Sequence, residues 1–321
     1  MEPPKTVTII GAGSMGTGFV VQFLRSGHHV TLVDHRDSNL ERAQDRAQSA
    51  AAFLAERDLA EIDPAAVETD VTYTTDRAAA VEDVDIVLET ISEDLEAKQE
   101  LFGALADEAD SNAVLASNTS GLPITKIAAG APEAADRIIG CHWWYPPYLL
   151  RPVEVIAGAE TSDRTVDRLR AFLETVDRDP VTVDRDVPGF VWNRVQHAVI
   201  RECLHIVEEG IASAEDVNRA IRDGYATRTA AIGPLETVDI AGLELFQTSA
   251  NDIYPDLTDR DEANPLYDRR IDEGRTGIEA GAGFFEYDHD PDEITGRRDE
   301  RVAAIRQALR PLEDDETTGG E

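Results

Sequence analysis

The chain has 321 residues, with 30 Lys and Arg set against 64 Asp and Glu, a net charge of −34. So much negative charge repels nucleic acid and anionic membrane surfaces, and no apolar run is long enough to span a bilayer. The length suits one large or two medium domains, and two cysteines, Cys141 and Cys203, give no disulfide framework. Lysine is confined to Lys5, Lys98 and Lys126. With abundant Asp, Glu and Ala, this composition is that of proteins from salt-loving microbes, where concentrated salt screens the self-repulsion. An ordinary acidic cytosolic protein is the alternative. No signal peptide precedes the first strand, so a soluble, cytoplasmic protein is expected.

The segment "TVTIIGAGSMGTGFVVQFLRSGHHVTLVD" reads as strand, tight turn, helix, strand. Gly11, Gly13 and Gly16 have the G-x-G-x-x-G spacing, with Ser14 and Met15 opening the helix. Gly11 allows the turn, Gly13 lets a pyrophosphate approach the backbone, and Gly16 permits close packing of helix on strand. Asp34 ends the second strand, where it accepts hydrogen bonds from ribose hydroxyls and repels a 2′-phosphate. NAD is therefore expected in preference to NADP, with Arg36 keeping NADP open. "VDIVLETISEDLEAKQELF" is a second apolar strand and helix, with Glu89, Glu93 and Lys98 near the strand's carboxyl end, where open α/β sheets bind ligands. Glu93 and Lys98 also read as ordinary solvated helix charges. "AVLASNTSGLPI" repeats the pattern and ends in Ser117, Asn118, Thr119 and Ser120, which suit either helix capping or substrate contact.

Residues 137–143, "RIIGCHW", and 151–158, "RPVEVIAG", read as two strands joined by the Pro146-Pro147 loop. Alternation puts Glu154 on the face opposite Val153 and Val155, so a buried carboxylate needs a partner there. If the strands pair, Glu154 accepts the N–H of His142, fixes its tautomer and leaves the other ring nitrogen as a general base. A satisfied core histidine beside an edge-strand glutamate is the plainer alternative. From Pro188 the pattern turns helical, with Phe190, Val191, Val195, Val199, Ile206 and Val207 at helical spacing, Pro188 at the start and Gly210 at the end. Asn193 lies in the first turns, Ser213 and Asp216 mark the next helix start, and further helices follow without strands. The expected fold is an α/β Rossmann-like dinucleotide-binding domain over 1–187 and an all-α C-terminal domain over 188–295. A partly disordered acidic tail over 296–321 completes the chain.

Taken together, the glycine loop, "LETISEDLEAKQELF", "ASNTS", the His142 and Glu154 spacing, "DVPGFVWNR" and "GAGFFEY" resemble the 3-hydroxyacyl-CoA dehydrogenase family over about residues 5–287. The resemblance implies an NAD-dependent oxidoreductase with His142 as catalytic base and Glu154 as its orienting partner. It implies that Ser120 and Asn193 contact the substrate near the reacting oxygen, and that Glu93 and Lys98 lie near the nicotinamide. It also suggests a homodimer formed through the helical domain, a small-molecule hydroxy acid or acyl-CoA substrate, and no metal. One departure is "HWWYP" where the family has "HFFNP", placing Tyr145 at an asparagine position and putting the pocket's shape in doubt. "WYPPYLLRPVEV" and "GYATRTAAIGPLET" resemble the branch containing L-gulonate 3-dehydrogenase and carnitine dehydrogenases, which act on free hydroxy acids. Arg228 matches an arginine of that branch and suits a carboxylate, although a plain surface arginine reads equally well. "GAGFFEY" points back to the acyl-CoA type. A free 3-hydroxy acid is favoured, with a CoA thioester as the alternative. A 6-phosphogluconate-type enzyme is disfavoured because "PGFVWNRVQHAVI" lacks its lysine. A non-catalytic NAD-binding protein is disfavoured by the joint presence of Ser120, His142, Glu154 and Asn193.

Overall fold

The apolar, β-branched run at Thr6–Ile10 forms β1, an interior strand of an eight-stranded sheet ordered β3-β2-β1-β4-β5-β6-β7-β8. The other strands are β2 (His29–Val33), β3 (Val71–Thr74), β4 (Ile86–Glu89), β5 (Val114–Ser117), β6 (Ile138–Trp143), β7 (Pro152–Ala157) and β8 (Asp179–Val183). β1 to β6 pair in parallel, whereas β7 runs antiparallel to β6, and β8 follows β7 in parallel. Strands covered on both faces read as continuous hydrophobic runs, and β4, β5 and β6 are buried along their whole lengths. Between the strands lie α1 (Ser14–Arg25), α2 (Asp37–Glu56), α3 (Ala66–Thr69), α4 (Arg77–Val81), α5 (Leu95–Glu108), α6 (Ile124–Ala128) and α7 (Asp163–Thr175).

Two cores flank the sheet. On one side Phe19 and Phe23 of α1 meet Trp143 edge-on, with Phe172 of α7 tilted against Phe23. On the other, Phe102 and Leu105 of α5 pack with Ile124, Ile138, Ile156 and Phe190. Because side chains alternate along a strand, Ile138 and His142 share this second face while Trp143 faces the aromatic core. Ile156 and Glu154 share the same face on β7.

The structure, a computed structural model, describes residues 4–318, with side chains to residue 309. It separates into two units that meet between Arg194 and Val195, within α8 (Trp192–Glu208) and a few residues beyond the expected boundary at 187/188. The helix expected to open at Pro188 starts at Trp192 instead. Gly189 and Phe190 take left-handed conformations, φ 76° and 49°, which an α-helix cannot include. α8 ends as expected: Gly210 (φ 69°) donates to the Val207 carbonyl at 3.2 Å and Ile211 to that of Ile206 at 3.0 Å. The second unit continues through α9 (Ala214–Ala220), capped by Ser213 as expected, and α10 (Ala226–Ala231). Then come α11 (Pro234–Ala241), α12 (Leu243–Ile253), α13 (Pro265–Asp272) and α14 (Pro291–Thr318). The first part of the tail expected over 296–321 is helical, in α14, and the side chains of residues 310–321 lie outside the described residues. Asp299 and Ala303, one helical turn apart, are both buried, so one face of α14 is anchored despite its acidic composition. Residues 319–321 lie outside the described residues. Among the described residues no helix is long and apolar enough to cross a membrane.

Candidate active site

The glycine loop connects β1 to α1. Gly11 has φ 115°, and a Cβ there would stand 2.6 Å from the Thr90 carbonyl oxygen, so only glycine fits. A Cβ on Gly16 would stand 1.9 Å from the Gly11 carbonyl oxygen. Gly16 is thus demanded chiefly by the loop's own first turn, a tighter constraint than helix-on-strand packing. Gly13 differs: nothing in the protein lies within 4 Å of its would-be Cβ, and its φ of −78° suits any residue. Ser14 and Met15 follow at the start of α1, where backbone N–H groups face outward and favour an anion. Asp34, just past β2, accepts from the Ala12 amide at 3.0 Å, the Arg36 amide at 3.1 Å and the Asn39 side chain at 2.7 Å. Burial raises its pKa, but these hydrogen bonds outweigh that and hold the carboxyl below its ordinary value. A cavity of about 400 Å³ opens beside it, lined by Ile10, Gly11, Val33, Asp34, Ile91 and Leu101 among others. A glycine turn, a helix N-terminus, an ionised acid and an adjoining apolar cavity fit the pyrophosphate, ribose and adenine of NAD.

His142 and Glu154 are directly opposed in the antiparallel β6 and β7 register. His142 Nδ1 lies 2.6 Å from Glu154 Oε2, with the two residues 5 % and 0 % exposed. The other carboxylate oxygen accepts from the Val191 amide at 2.7 Å and the Trp192 amide at 2.9 Å, at the start of α8. Burial again raises the Glu154 pKa, and the bonds from His142, Trp192 and Val191 outweigh it, so the carboxyl lies below its ordinary range. An ionised Glu154 accepts only, so Nδ1 is the protonated nitrogen and Nε2 carries the lone pair. Phe190, 1 % exposed, packs its ring 5.8 Å from the imidazole. Its positive φ and that of Gly189 turn both amides toward one carboxylate. Neither Phe190 nor these amides is signalled by the sequence, since a left-handed phenylalanine has no composition cue. The loop after β6 is tied down by Arg178, 3 % exposed, which donates to the Pro147 carbonyl at 2.8 Å.

Beyond β4 and β5 lies a polar cluster. Lys98 Nζ is 2.5 Å from Glu89 Oε1 and 3.5 Å from Glu93 Oε2. Lys98, on α5, is 1 % exposed and so is no solvated helix charge, and its partner Glu89 at the end of β4 is 0 % exposed, whereas the Glu93 side chain is 40 % exposed. Glu93 Oε1 accepts from the Thr119 hydroxyl at 2.6 Å, the Ser120 amide at 2.9 Å, the Gly121 amide at 3.1 Å and the Ser120 hydroxyl at 3.2 Å. Burial raises the Glu93 pKa, but the bond from Thr119, the charge of Lys98 and the bonds from Ser120 bring it below the ordinary value. The Asn193 amide donates to the Ser120 carbonyl at 2.5 Å, and the Trp143 amide donates to Asn118 Oδ1 at 2.9 Å. The first unit thus brings together Glu93, Lys98, Ser120 and Asn193 in one network and His142 with Glu154 in another. Arg228 lies on α10 in the second unit, with an exposed side chain. Among the described residues, His205, Glu208 and Glu209 have metal-ligand spacing. Glu208 is already held by Arg260 at 3.0 Å and Asn264 at 2.9 Å.

A family model described as the NAD binding domain of 3-hydroxyacyl-CoA dehydrogenase matches residues 6–187, and one for the C-terminal domain of the same enzyme matches residues 189–287. The chain is 32 % identical over 310 residues to 5-formyl-3-hydroxy-2-methylpyridine 4-carboxylate 5-dehydrogenase of Mesorhizobium japonicum, covering 96 % of this chain and 99 % of that one. It is 32 % identical over 295 residues to the mitochondrial hydroxyacyl-coenzyme A dehydrogenase of Sus scrofa, covering 88 % and 91 %. A crystal structure of an enzyme with the first of these names, described as an NAD+ dependent dismutase, superposes with a TM-score of 0.87 at 31 % identity, covering 97 % of this chain and 99 % of that one.

The two glycines separate fold from cofactor. Gly16→Ala is expected to lower the thermal midpoint by several degrees, since overpacking costs about 1–3 kcal/mol and each kcal/mol shifts the midpoint by about 2–4 °C. Gly13→Ala is expected to leave the midpoint within about 2 °C and to weaken NADH binding at least about tenfold, read by NADH fluorescence, because its methyl meets only the pyrophosphate. Unweakened binding in Gly13→Ala would remove the loop from the cofactor site.

Proposed function

This chain belongs to the 3-hydroxyacyl-CoA dehydrogenase family, and we propose on that footing that it oxidises the 3-hydroxyl of a free 3-hydroxy acid to the 3-oxo product. It is an NAD-dependent dehydrogenase acting on hydroxyl groups. The observation that carries the catalytic assignment is the buried pair in which Glu154 fixes the tautomer of His142. His142 Nε2 accepts the hydroxyl proton as the C3–H electron pair departs as hydride. Bound NAD supplies the hydride acceptor. Glu154, ionised and opposite the ring, balances the positive charge that the imidazole gains, and its two amide donors keep it from moving with the proton. Ser120 and Asn193, which bond to each other across the Ser120 carbonyl, are the groups that hold the substrate oxygens.

Two observations favour a free acid over a thioester. One is Arg228, whose guanidinium suits a carboxylate through two parallel hydrogen bonds. The other is the M. japonicum relative, whose named substrate is a carboxylate. The second reading is a 3-hydroxyacyl-CoA dehydrogenase, favoured by the family description and by the S. scrofa relative. We read the charge of −34 as adaptation to concentrated salt in a cytoplasm. The homodimer suggested by the resemblance has a surface to form on: Leu235, Ile240, Leu243 and Leu245 of α11 and α12 are 60–81 % exposed. Leu243, with Val238, Phe246, Ala250 and Ile253, helps line an apolar groove of about 630 Å³.

Four measurements, made in molar KCl, test this reading. Turnover is compared for L-gulonate, carnitine and 3-hydroxybutyrate with NAD, and for acetoacetyl-CoA with NADH. A free acid is expected to give the highest kcat/KM, and NADH binding without any turnover would support a non-catalytic protein. His142→Gln is expected to keep NADH affinity while kcat falls by about 10²–10⁴-fold, the usual loss for a general base; near-normal turnover removes the assignment. Arg228→Ala is expected to raise KM for the best free acid about tenfold, as loss of a charge-assisted pair does, with kcat little changed. An unchanged KM argues against the carboxylate clamp. Sedimentation velocity is expected to show a dimer that Leu243→Glu dissociates, and a monomeric wild type refutes the homodimer.

A further inference from the structure

Glu89 and Lys98 form an ion pair sealed from water, and such a pair is weak evidence for stability. Well-packed apolar residues of similar volume stabilise a core as well or better. Its surroundings suggest another use. Glu89 Oε2 accepts from the Ser117 hydroxyl at 2.6 Å, and Ser117 Oγ in turn accepts from the Thr119 amide at 3.2 Å. On the other side, Glu89 Oε1 holds Lys98, which lies 3.5 Å from Glu93, and Glu93 binds the Thr119 hydroxyl. The contacts close a ring, Glu89–Lys98–Glu93–Thr119–Ser117, spanning the ends of β4 and β5 and the start of α5. Ser120 hangs from this ring by its amide and its hydroxyl, both donated to Glu93 Oε1. The Ile91 amide donates to Glu89 Oε1 at 2.7 Å, which fixes the carboxylate from the strand side.

We infer that Glu89 is a positioning residue: it anchors the Lys98 ammonium against Glu93, and the ring so closed sets the Ser120 loop for substrate. The inference deepens the proposed function, since the role of Ser120 rests on that reading. The Lys98 charge reaches the site through Glu93, because both Glu89 and Lys98 are buried. A ring of hydrogen bonds in a low-dielectric interior is stiffer than its separate pairs, and removing one member releases the others.

The test replaces the pair by an apolar one, Glu89→Leu with Lys98→Met, and measures three things. The thermal midpoint is expected to stay within a few degrees of wild type. Hydrogen exchange at the Ser120 and Gly121 amides, the two that Glu93 accepts, is expected to be at least about tenfold faster while exchange in β1 and β6 is unchanged. With the best hydroxy acid of the substrate panel, kcat/KM is expected to fall about 10- to 100-fold, the scale of a misplaced contact. Adding Ser120→Ala to the pair variant is then expected to cost much less than it costs in wild type, because the two act through one loop. Wild-type exchange at both amides in the pair variant overturns the inference, as does a Ser120→Ala effect equal in both backgrounds. If the pair variant fails to fold, Ser117→Ala removes one arm of the ring by a single hydroxyl, and the same two amides decide. The exchange measurement needs no substrate, so a wild-type protein silent on the whole panel would count against the proposed function alone.

Discussion

A single buried carboxylate, Glu154, organises the site. Alone in a covered sheet it would be costly to ionise. Three donors make it tenable: the imidazole of His142 across the β6–β7 pair and the amides of Val191 and Trp192 at the entry to α8. The carboxylate therefore joins three elements at one point, and its charge state and the histidine's tautomer are set by the same contacts. The antiparallel turn of β7 against an otherwise parallel run of strands is what brings Glu154 into register with His142.

The same device recurs along the carboxyl ends of the strands. Asp34 gathers the amides of Ala12 and Arg36, Glu89 that of Ile91, and Glu93 those of Ser120 and Gly121. Asp186 takes the amides of Ile124 and Thr125 at the start of α6, at 2.9 and 2.8 Å. Loops at the ends of a parallel sheet leave backbone donors unpaired, and an acid rich in lone pairs satisfies two or three at once. In a chain with twice as many acids as bases, part of the acidic surplus is thus structural: it shapes the loops at the strand ends.

Much of the candidate site's geometry was legible in the sequence. The glycine spacing, with a strand before and a helix after, marks a dinucleotide loop, and Asp34 follows at the next strand's end. The apolar alternation around Glu154 exposed a buried acid in need of a partner. Less legible was the state of Glu93 and Lys98. Helical charges usually read as solvated, and only the packing of α5 against the sheet shows Lys98 to be sealed inside. The start of α8 was also misplaced, because Pro188 looks like a helix opener while the left-handed Gly189 and Phe190 delay the helix to Trp192. At the C-terminus the composition gives no sign of the one face of α14 that Asp299 and Ala303 bury.

The sequence by itself determined what is local: the periodicities that make strands and helices, the glycines without which the first loop cannot close, and the acid that ends β2. These follow from steric and hydrophobic rules that act within a few residues of each other. Only the tertiary structure decided which distant groups meet. Strand register chose His142 for Glu154, the turn at 189–190 aimed two amides at one carboxylate oxygen, and the approach of α5 to β4 and β5 closed the ring from which Ser120 hangs. Such contacts depend on ångström-scale placement of groups tens of residues apart, and no pattern in a linear chain carries that distance.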